Sequence, residues 1–331
     1  MQRILVIQTA FIGDVVLATG LLEKLHQHYP DAALDIVVRK GNESLFQEHP
    51  FLHEVLIWDK KSAKYRHLFQ LLRTIRRKKY DVVINVQRYF ATGFLTAFSR
   101  ASRKVGFDKN PFRFFFTDII PHHFSGKGDA IHEIQRNHAL IRSFTDKVAA
   151  KPVLYPTAKA FEKVSVYQQQ PYICIAPASV WFTKQYPADQ WVDLIQQLPD
   201  TYTIYLLGAP GDRNLCDQIR ILSGNRATDL SGQLSFLESA ALMKNAVMNY
   251  VNDSAPMHFA SAMNAAVTAV YCSTIPEFGY GPLSDNKNVV QSMEHLSCRP
   301  CGLHGHTFCP EKHFKCARTI QTVQLLNSLN S

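Results

Sequence analysis

The feature that most constrains the fold is a short apolar strand running directly into a helix, a unit that the chain repeats, suspends and then resumes. Residues 3–8 are apolar and β-branched enough for a strand buried on both faces. Ile12-Gly13-Asp14 reads as the turn, and Val15, Leu17, Ala18, Leu21, Leu22 and Leu25 recur at helical spacing until Pro30 stops them. Further strands are predicted at 34–38, 55–58 and 81–85, with a basic helix between the last two. Residues 145–163, carrying Pro152 and Pro156 and little periodicity, read as a linker. The alternation then resumes, with strands at 172–176, 203–208, 247–251 and 267–272 and helices at 187–198, 236–246 and 256–263. The tail reads as one amphipathic helix through Ile320, Val323, Leu325, Leu326 and Leu329. Strands alternating with helices imply a parallel sheet covered on both faces, and 331 residues suit two such domains. Two open sheets facing each other would form a cleft, and such sheets bind ligands at the carboxyl ends of their strands.

Missing signatures narrow the chemistry. The first strand is not followed by G-x-G-x-x-G, and the chain lacks a P-loop, a G-x-S-x-G elbow, an H-E-x-x-H pair and a D-x-D metal clamp. Asp14 and Gln8 interrupt the first apolar run, which argues against a signal peptide and for a cytoplasmic protein. The net charge of +9 lies wholly in residues 1–150, with 23 Lys and Arg against 14 Asp and Glu. It concentrates in an acid-free run from Lys60, Lys61 and Lys64 to Lys79, and in Arg103, Lys104, Lys109 and Arg113, interleaved with Phe107, Phe112 and Phe114 to Phe116. Such a field suits an anionic surface or substrate, although a basic run is equally well a solvated helix face.

Asp14 stands where a first strand meets its helix, as a plain helix cap or as a general base. In the second half three strand ends carry polar groups. Ser179 and Lys184 lie in a loop suited to phosphate oxygens, and Gly208 brings backbone close to Asp212, an acid able to take ribose hydroxyls. Asp253, Ser254, Ala255 and His258 open a helix whose free amides suit an anion. Singly, each is an ordinary strand-to-helix turn; their co-occurrence in one half points to a nucleotide.

These motifs resemble glycosyltransferase family 9, the lipopolysaccharide heptosyltransferases. Carrying the likeness, in family order, are Ile12-Gly13-Asp14, Lys184-Gln185-Tyr186-Pro187 before Trp191, Leu230-Ser231-Gly232, the run from Asn252 to His258, and Gly279-Tyr280-Gly281-Pro282. The resemblance implies a GT-B fold of two Rossmann-like domains: an acceptor domain (1–155), a donor domain (165–316) and a tail helix (317–331). It implies inverting, metal-independent transfer of heptose from ADP-heptose to the inner core. Asp14 would be the base, with Ser179, Lys184, Gly208, Asp212, Asp253, Ser254, Ala255 and His258 on the donor, Asp253 either bracing the phosphate turn or touching the sugar. Gly13, Lys60, Lys61, Lys64, Arg103 and Lys104 would face the acceptor, an anionic lipid A or core oligosaccharide at the cytoplasmic face of the inner membrane, with no nucleic acid as partner. Relatives usually have Gly at the position of Ala255, so a positive φ there would be strained. Another nucleotide-sugar enzyme of this fold, such as an epimerase, and a non-catalytic anion-binding protein remain the alternatives. Cys298, Cys301, Cys309 and Cys316, with His304, His306 and His313 between them, read either as a structural Zn²⁺ site or as a reduced-thiol loop.

Overall fold

The computed structural model of the protein describes residues 2–123 and 131–329. Its contacts divide the chain into two units, with the division between Tyr155 and Pro156. The first unit runs β1 (Arg3–Ile7), α1 (Ile12–His28), β2 (Ala33–Arg39), β3 (Leu52–Trp58), α2 (Lys64–Lys78), β4 (Val82–Asn85), α3 (Phe90–Ala97), β5 (Arg103–Phe107), β6 (Asp118–Ile120) and α4 (Glu133–Ala139). The second comprises α5 (Ala158–Val164), β7 (Tyr172–Ala176), α6 (Ala188–Gln197), β8 (Thr203–Leu206), α7 (Arg213–Leu222), β9 (Ala227–Asp229), α8 (Phe236–Lys244), β10 (Met248–Asn252), α9 (Ala255–Ala262), β11 (Val267–Tyr271), β12 (Lys287–Gln291), α10 (Lys315–Arg318) and α11 (Thr322–Asn327).

The sheets run β3-β2-β1-β4-β5-β6 and β12-β11-β10-β7-β8-β9. Each is parallel throughout, and both orders are the same when counted within each unit. This is the doubly wound, Rossmann-like order in which chain direction across the sheet reverses once, between the first and fourth strands. Helices on both faces account for strands such as β7, and β1 after Arg3, that are apolar and buried along their length. In the first unit α2 buries Leu68, Leu71, Leu72 and Ile75, a stripe at helical spacing, against Leu5, Val37, Leu56 and Trp58. Its basic residues therefore occupy the remaining faces. In the second unit Trp191 and Ile195 of α6 pack with Ile173, Ile175 and Tyr250.

Three sequence expectations change. The first turn precedes Ile12, and Gly13 and Asp14 already belong to α1. The expected linker is largely ordered: residues 150–155 lie along α1, where the Val153 amide donates to Thr19 Oγ1 at 3.0 Å and the Tyr155 hydroxyl to Glu23 at 3.0 Å. Its second half is α5, capped by Thr157, whose hydroxyl accepts from the Ala160 amide at 3.1 Å. The tail is two short helices rather than one, because Gln321 leaves the helical conformation. Ile320 and Leu325 are fully buried while Val323 stays 55% exposed, off the buried face. Residues 330 and 331 of that tail lie outside the described residues.

Gly20 sits inside α1, where alanine is ordinarily better by about 1 kcal/mol. A Cβ there would come within 2.5 Å of the Ala150 carbonyl oxygen, a backbone atom held by the segment that follows α1 so closely. Gly20→Ala is expected to lower the free energy of unfolding by about 1–3 kcal/mol, measured in urea; a more stable variant would show that residues 150–155 do not press on the helix.

Candidate functional site

The polar chemistry of each unit collects where its strand order reverses. In the first unit, the Thr9 hydroxyl beyond β1 donates to Gln87 Oε1 beyond β4 at 2.6 Å, and the Thr9 amide donates to the same oxygen at 3.3 Å. The Gln87 amide donates to Asn85 Oδ1 at 2.9 Å, which holds that side chain in place. Phe11 caps α1 in an extended conformation without a side-chain bond, so Asp14 is not the N-cap. It is a half-buried carboxylate in the first turn, where the helix dipole favours negative charge.

Two cations share this edge with Gly13 and Asp14. Arg39, the last residue of β2, lies 4.8 Å from the Phe11 ring centroid. Burial lowers its pKa and the charge of Asp14 opposes that shift. Lys60, just beyond β3, donates to the Thr9 carbonyl at 2.6 Å and sits 4.7 Å from the Trp58 ring centroid. Arg39 was missed in the sequence; its signal was a cation ending the Ile36-Val37-Val38 run. Lys61 follows Lys60 in the exposed loop before α2, and Lys64 opens the helix. Arg103 and Lys104 do not join this group. Arg103 begins β5, opposite Val82, and in a parallel sheet that places it at the amino edge, away from Asp14. It is forked onto both oxygens of Asp118 at 3.0 Å and stacks over Phe144 at 4.1 Å. Arg103 and Lys104, expected to face the acceptor with Lys60, thus stand apart from Asp14 and Lys60.

The second unit repeats the plan with different residues. Asn252, buried at the end of β10, donates from Nδ2 to the Pro177 carbonyl at 2.7 Å and accepts the Tyr186 amide at Oδ1 at 2.9 Å. One side chain thus fixes the 177–187 loop after β7 to the reversal point. Lys184 in that loop meets Asp253 at 2.6 Å, with side chains 14% and 8% exposed, and Thr274 donates to the same Asp253 oxygen at 2.6 Å. Bracing Lys184 is the role of Asp253 that the geometry displays. Ser179 offers its carbonyl to Gln185 Nε2 at 2.6 Å. Ser254 is the N-cap of α9, and His258 is buried one turn further on. Ala255 has ordinary helical geometry and is not among the positive-φ residues, so the expected strain at that position is absent. Gly208 ends the strand side of another turn: a Cβ there would lie 2.9 Å from the Asp212 Cβ. Asp212 Oδ2 accepts the Ala209 amide at 2.7 Å, so this acid shapes its own turn as well as facing outward.

The cysteine segment is stitched to the same strand ends. Arg299 donates to the carbonyls of Cys272 at 2.7 Å and Thr274 at 2.8 Å, and burial lowers its pKa. The Cys301 amide donates to the Ser273 carbonyl at 2.8 Å, and the His306 amide to Thr183 Oγ1 at 2.7 Å. Burial, with Cys301, Cys309 and Cys298 nearby, pushes the Cys316 thiol up to about 12. Among the described residues no three of these thiols come within 4.8 Å of one another; Asp35, His53 and Glu54 are the group that does. Tetrahedral thiolate ligation of zinc at about 2.3 Å needs a tighter set. The thiols as arranged do not fit it. Tyr80 donates to Asp35, and Lys78 pairs with Glu54, so that second group is a hydrogen-bonded and ion-paired network.

Comparison with known proteins supports a common architecture. The family model described as glycosyltransferase family 9 (heptosyltransferase) matches residues 68–310. Lipooligosaccharide heptosyltransferase 2 of Haemophilus ducreyi is 24% identical over 88% of this chain and 89% of its own. A family 9 glycosyl transferase from Veillonella parvula superposes with a TM-score of 0.83 at 20% identity, over 99% and 96% of the two chains. The E. coli ADP-heptose LPS heptosyltransferase II gives 0.80 at 20% identity, over 99% and 98%. The fold is GT-B.

Removing one partner of a buried ion pair costs far more than removing both. Lys184→Met should therefore lower the unfolding free energy by about 3 kcal/mol, and adding Asp253→Asn should restore most of it. Urea unfolding of both single variants and the double variant checks this; purely additive losses would mean the pair is not coupled.

Proposed function

The chain belongs to glycosyltransferase family 9 and is a glycosyltransferase, and from that footing we propose that it transfers heptose from ADP-heptose to the inner core of a lipopolysaccharide. The observation that carries the reading is Asp14, a half-buried carboxylate held in the first turn of α1 at the reversal point rather than spent as a helix cap. In the proposed step Asp14 accepts the proton of the attacking hydroxyl as its oxygen bonds to the anomeric carbon. The bond from that carbon to the diphosphate breaks on the opposite face, and its electron pair leaves with ADP, so configuration inverts. Lys184, braced by Asp253, and the amides opening α9 would meet the growing charge on the diphosphate. Asp212 and Gly208 would meet the nucleoside. A lysine and helix-end amides supply the positive field here, so the proposed transfer calls on no metal.

The reading extends to where the protein works. The exposed faces of α2 carry Lys64, Arg66 and Arg73 beside Tyr65 and Phe69, which are 69% and 53% exposed. From Phe69 a run of ring contacts passes through Phe94 and Phe112 to Phe115, with centroids 5.6–6.1 Å apart. Cations around exposed aromatic rings suit the headgroup region of an anionic leaflet. No helix among the described residues is long and apolar enough to cross a membrane. We therefore assign a peripheral contact at the cytoplasmic face of the inner membrane.

General-base assistance is typically worth about 10²–10⁴-fold in rate. Asp14→Asn should lose turnover on that scale and keep ADP-heptose affinity, as read by a transfer assay and calorimetry; a variant keeping more than about a tenth of the wild-type rate would remove Asp14 from the chemistry. Replacing ADP-heptose by UDP- and GDP-sugars tests the donor assignment. Vesicles of anionic lipid should bind the protein at low salt and release it at high salt, and exchanging Tyr65 and Phe69 for serine should weaken the binding. Binding indifferent to both would rule the surface out.

A further inference from the structure

We propose that the segment from Arg299 to His306 is a working part of the donor site and positions Lys184. It holds the lysine stem through Gly305 and Thr183, and the ammonium through Thr274 and Asp253. The inference rests on the transferase reading above and gives a task to a segment whose thiols do not fit zinc.

The stem is fixed by close packing. Gly305 has φ +76°, and a Cβ built on it would lie 2.8 Å from Thr183 Oγ1, 3.1 Å from Lys184 Cγ and 3.2 Å from Ser273 Oγ. Backbone of the segment thus lies against the lysine side chain itself, where only glycine leaves room. Thr183, the residue before the lysine, is buried and held from the same side. Its amide donates to the His306 carbonyl at 3.1 Å. Its hydroxyl accepts from the His306 amide at 2.7 Å and from the Ser273 hydroxyl at 3.0 Å. Ser273 is tied in turn, its carbonyl accepting the Cys301 amide at 2.8 Å.

The ammonium is fixed separately. Thr274, also buried, donates to Asp253 Oδ2, the oxygen that meets Lys184. Two donors on one oxygen fix the plane of the carboxylate, and with it the point to which the ammonium is drawn. Thr274 keeps its own place because Arg299 donates to its carbonyl at 2.8 Å and to that of Cys272 at 2.7 Å. By contrast Lys163, paired with Glu238 at 2.9 Å in the same unit, leaves 50% of its side chain exposed, against 14% for Lys184. A free lysine stem samples many rotamers. A charge that must meet a departing diphosphate acts best when that freedom is already removed.

Kinetics reads the position directly. With ADP-heptose and a lipid A–core acceptor, Thr274→Val should lower kcat by about 10- to 100-fold, the scale of one hydrogen bond to a charged group, with acceptor KM level. Thr274→Ser keeps the hydroxyl and should stay within about threefold of wild type. Gly305→Ala should lower kcat by about 10- to 100-fold through a displaced lysine stem, again with acceptor KM level. Circular dichroism first shows that each variant is folded, and the Thr274 pair suffices if Gly305→Ala is not. Both losses should vanish in the Lys184→Met, Asp253→Asn double variant, because no ammonium is left to place there. Losses that persist in that background, or a Thr274→Val rate equal to wild type, overturn the proposal and leave the transferase standing. If no sugar is transferred at all, the functional reading fails separately. Acetylation of Lys184 by acetic anhydride, followed by mass spectrometry on the folded protein, then decides the matter. Labelling several-fold faster in Thr274→Val and Gly305→Ala than in wild type and Thr274→Ser supports the positioning role, and equal rates refute it.

Discussion

A parallel sheet covered by helices on both faces has few places for polar chemistry, and each sheet here places it where the strand order reverses. At that point the loops after the first and fourth strands leave in opposite directions and open a gap that no crossover helix fills. Each unit closes the gap with one side-chain amide. Gln87 joins the two loops in the first unit through Thr9, and Asn252 joins them in the second through Pro177 and Tyr186. Asp14 and Lys60 in one unit, and Lys184 and Asp253 in the other, take their positions from those ties.

Electrostatics divides the units in a way that matches their sequence charge. The excess cations of the first half fall into three structural groups. Some face solvent on α2, some are spent in ion pairs such as Arg103 with Asp118, and a few stand at the reversal edge. The second unit instead pairs its key lysine with a buried acid. A braced lysine holds one position at little reorganisation cost, which suits a charge that appears only as a bond breaks. Lys60 instead rests on the Thr9 carbonyl and the Trp58 ring.

Much of the fold was legible because long apolar strands and helical stripes carry strong periodicity. β1 to β4, β7, β8, β10, β11 and the start of α8 are readable in that way. The elements that escaped have weak patterns for physical reasons. β6 and β9 are three-residue strands, and β12 lies at a sheet edge with exposed residues, so none needs a continuous apolar run. α5 lay hidden because Pro152 and Pro156 suggested a loop, whereas both precede a helix that begins at Ala158. In the site, Asp14, Lys184 and Asp253 stood out by position and motif. Arg39, Thr274 and Arg299 did not, since each matters through a partner remote in sequence.

The sequence by itself determined two α/β halves, the family, and the candidate residues at strand ends, because these depend on local periodicity and short motifs. Only the tertiary structure decided which of the candidates share an edge. It put Asp14 in the first turn of α1 with Phe11 as the cap, and separated Arg103 and Lys104 from Lys60. It showed Asp253 already engaged with Lys184, and brought Arg39 to the edge that Asp14 occupies. The reason is that strand order and register, which no local pattern encodes, set which loops emerge side by side.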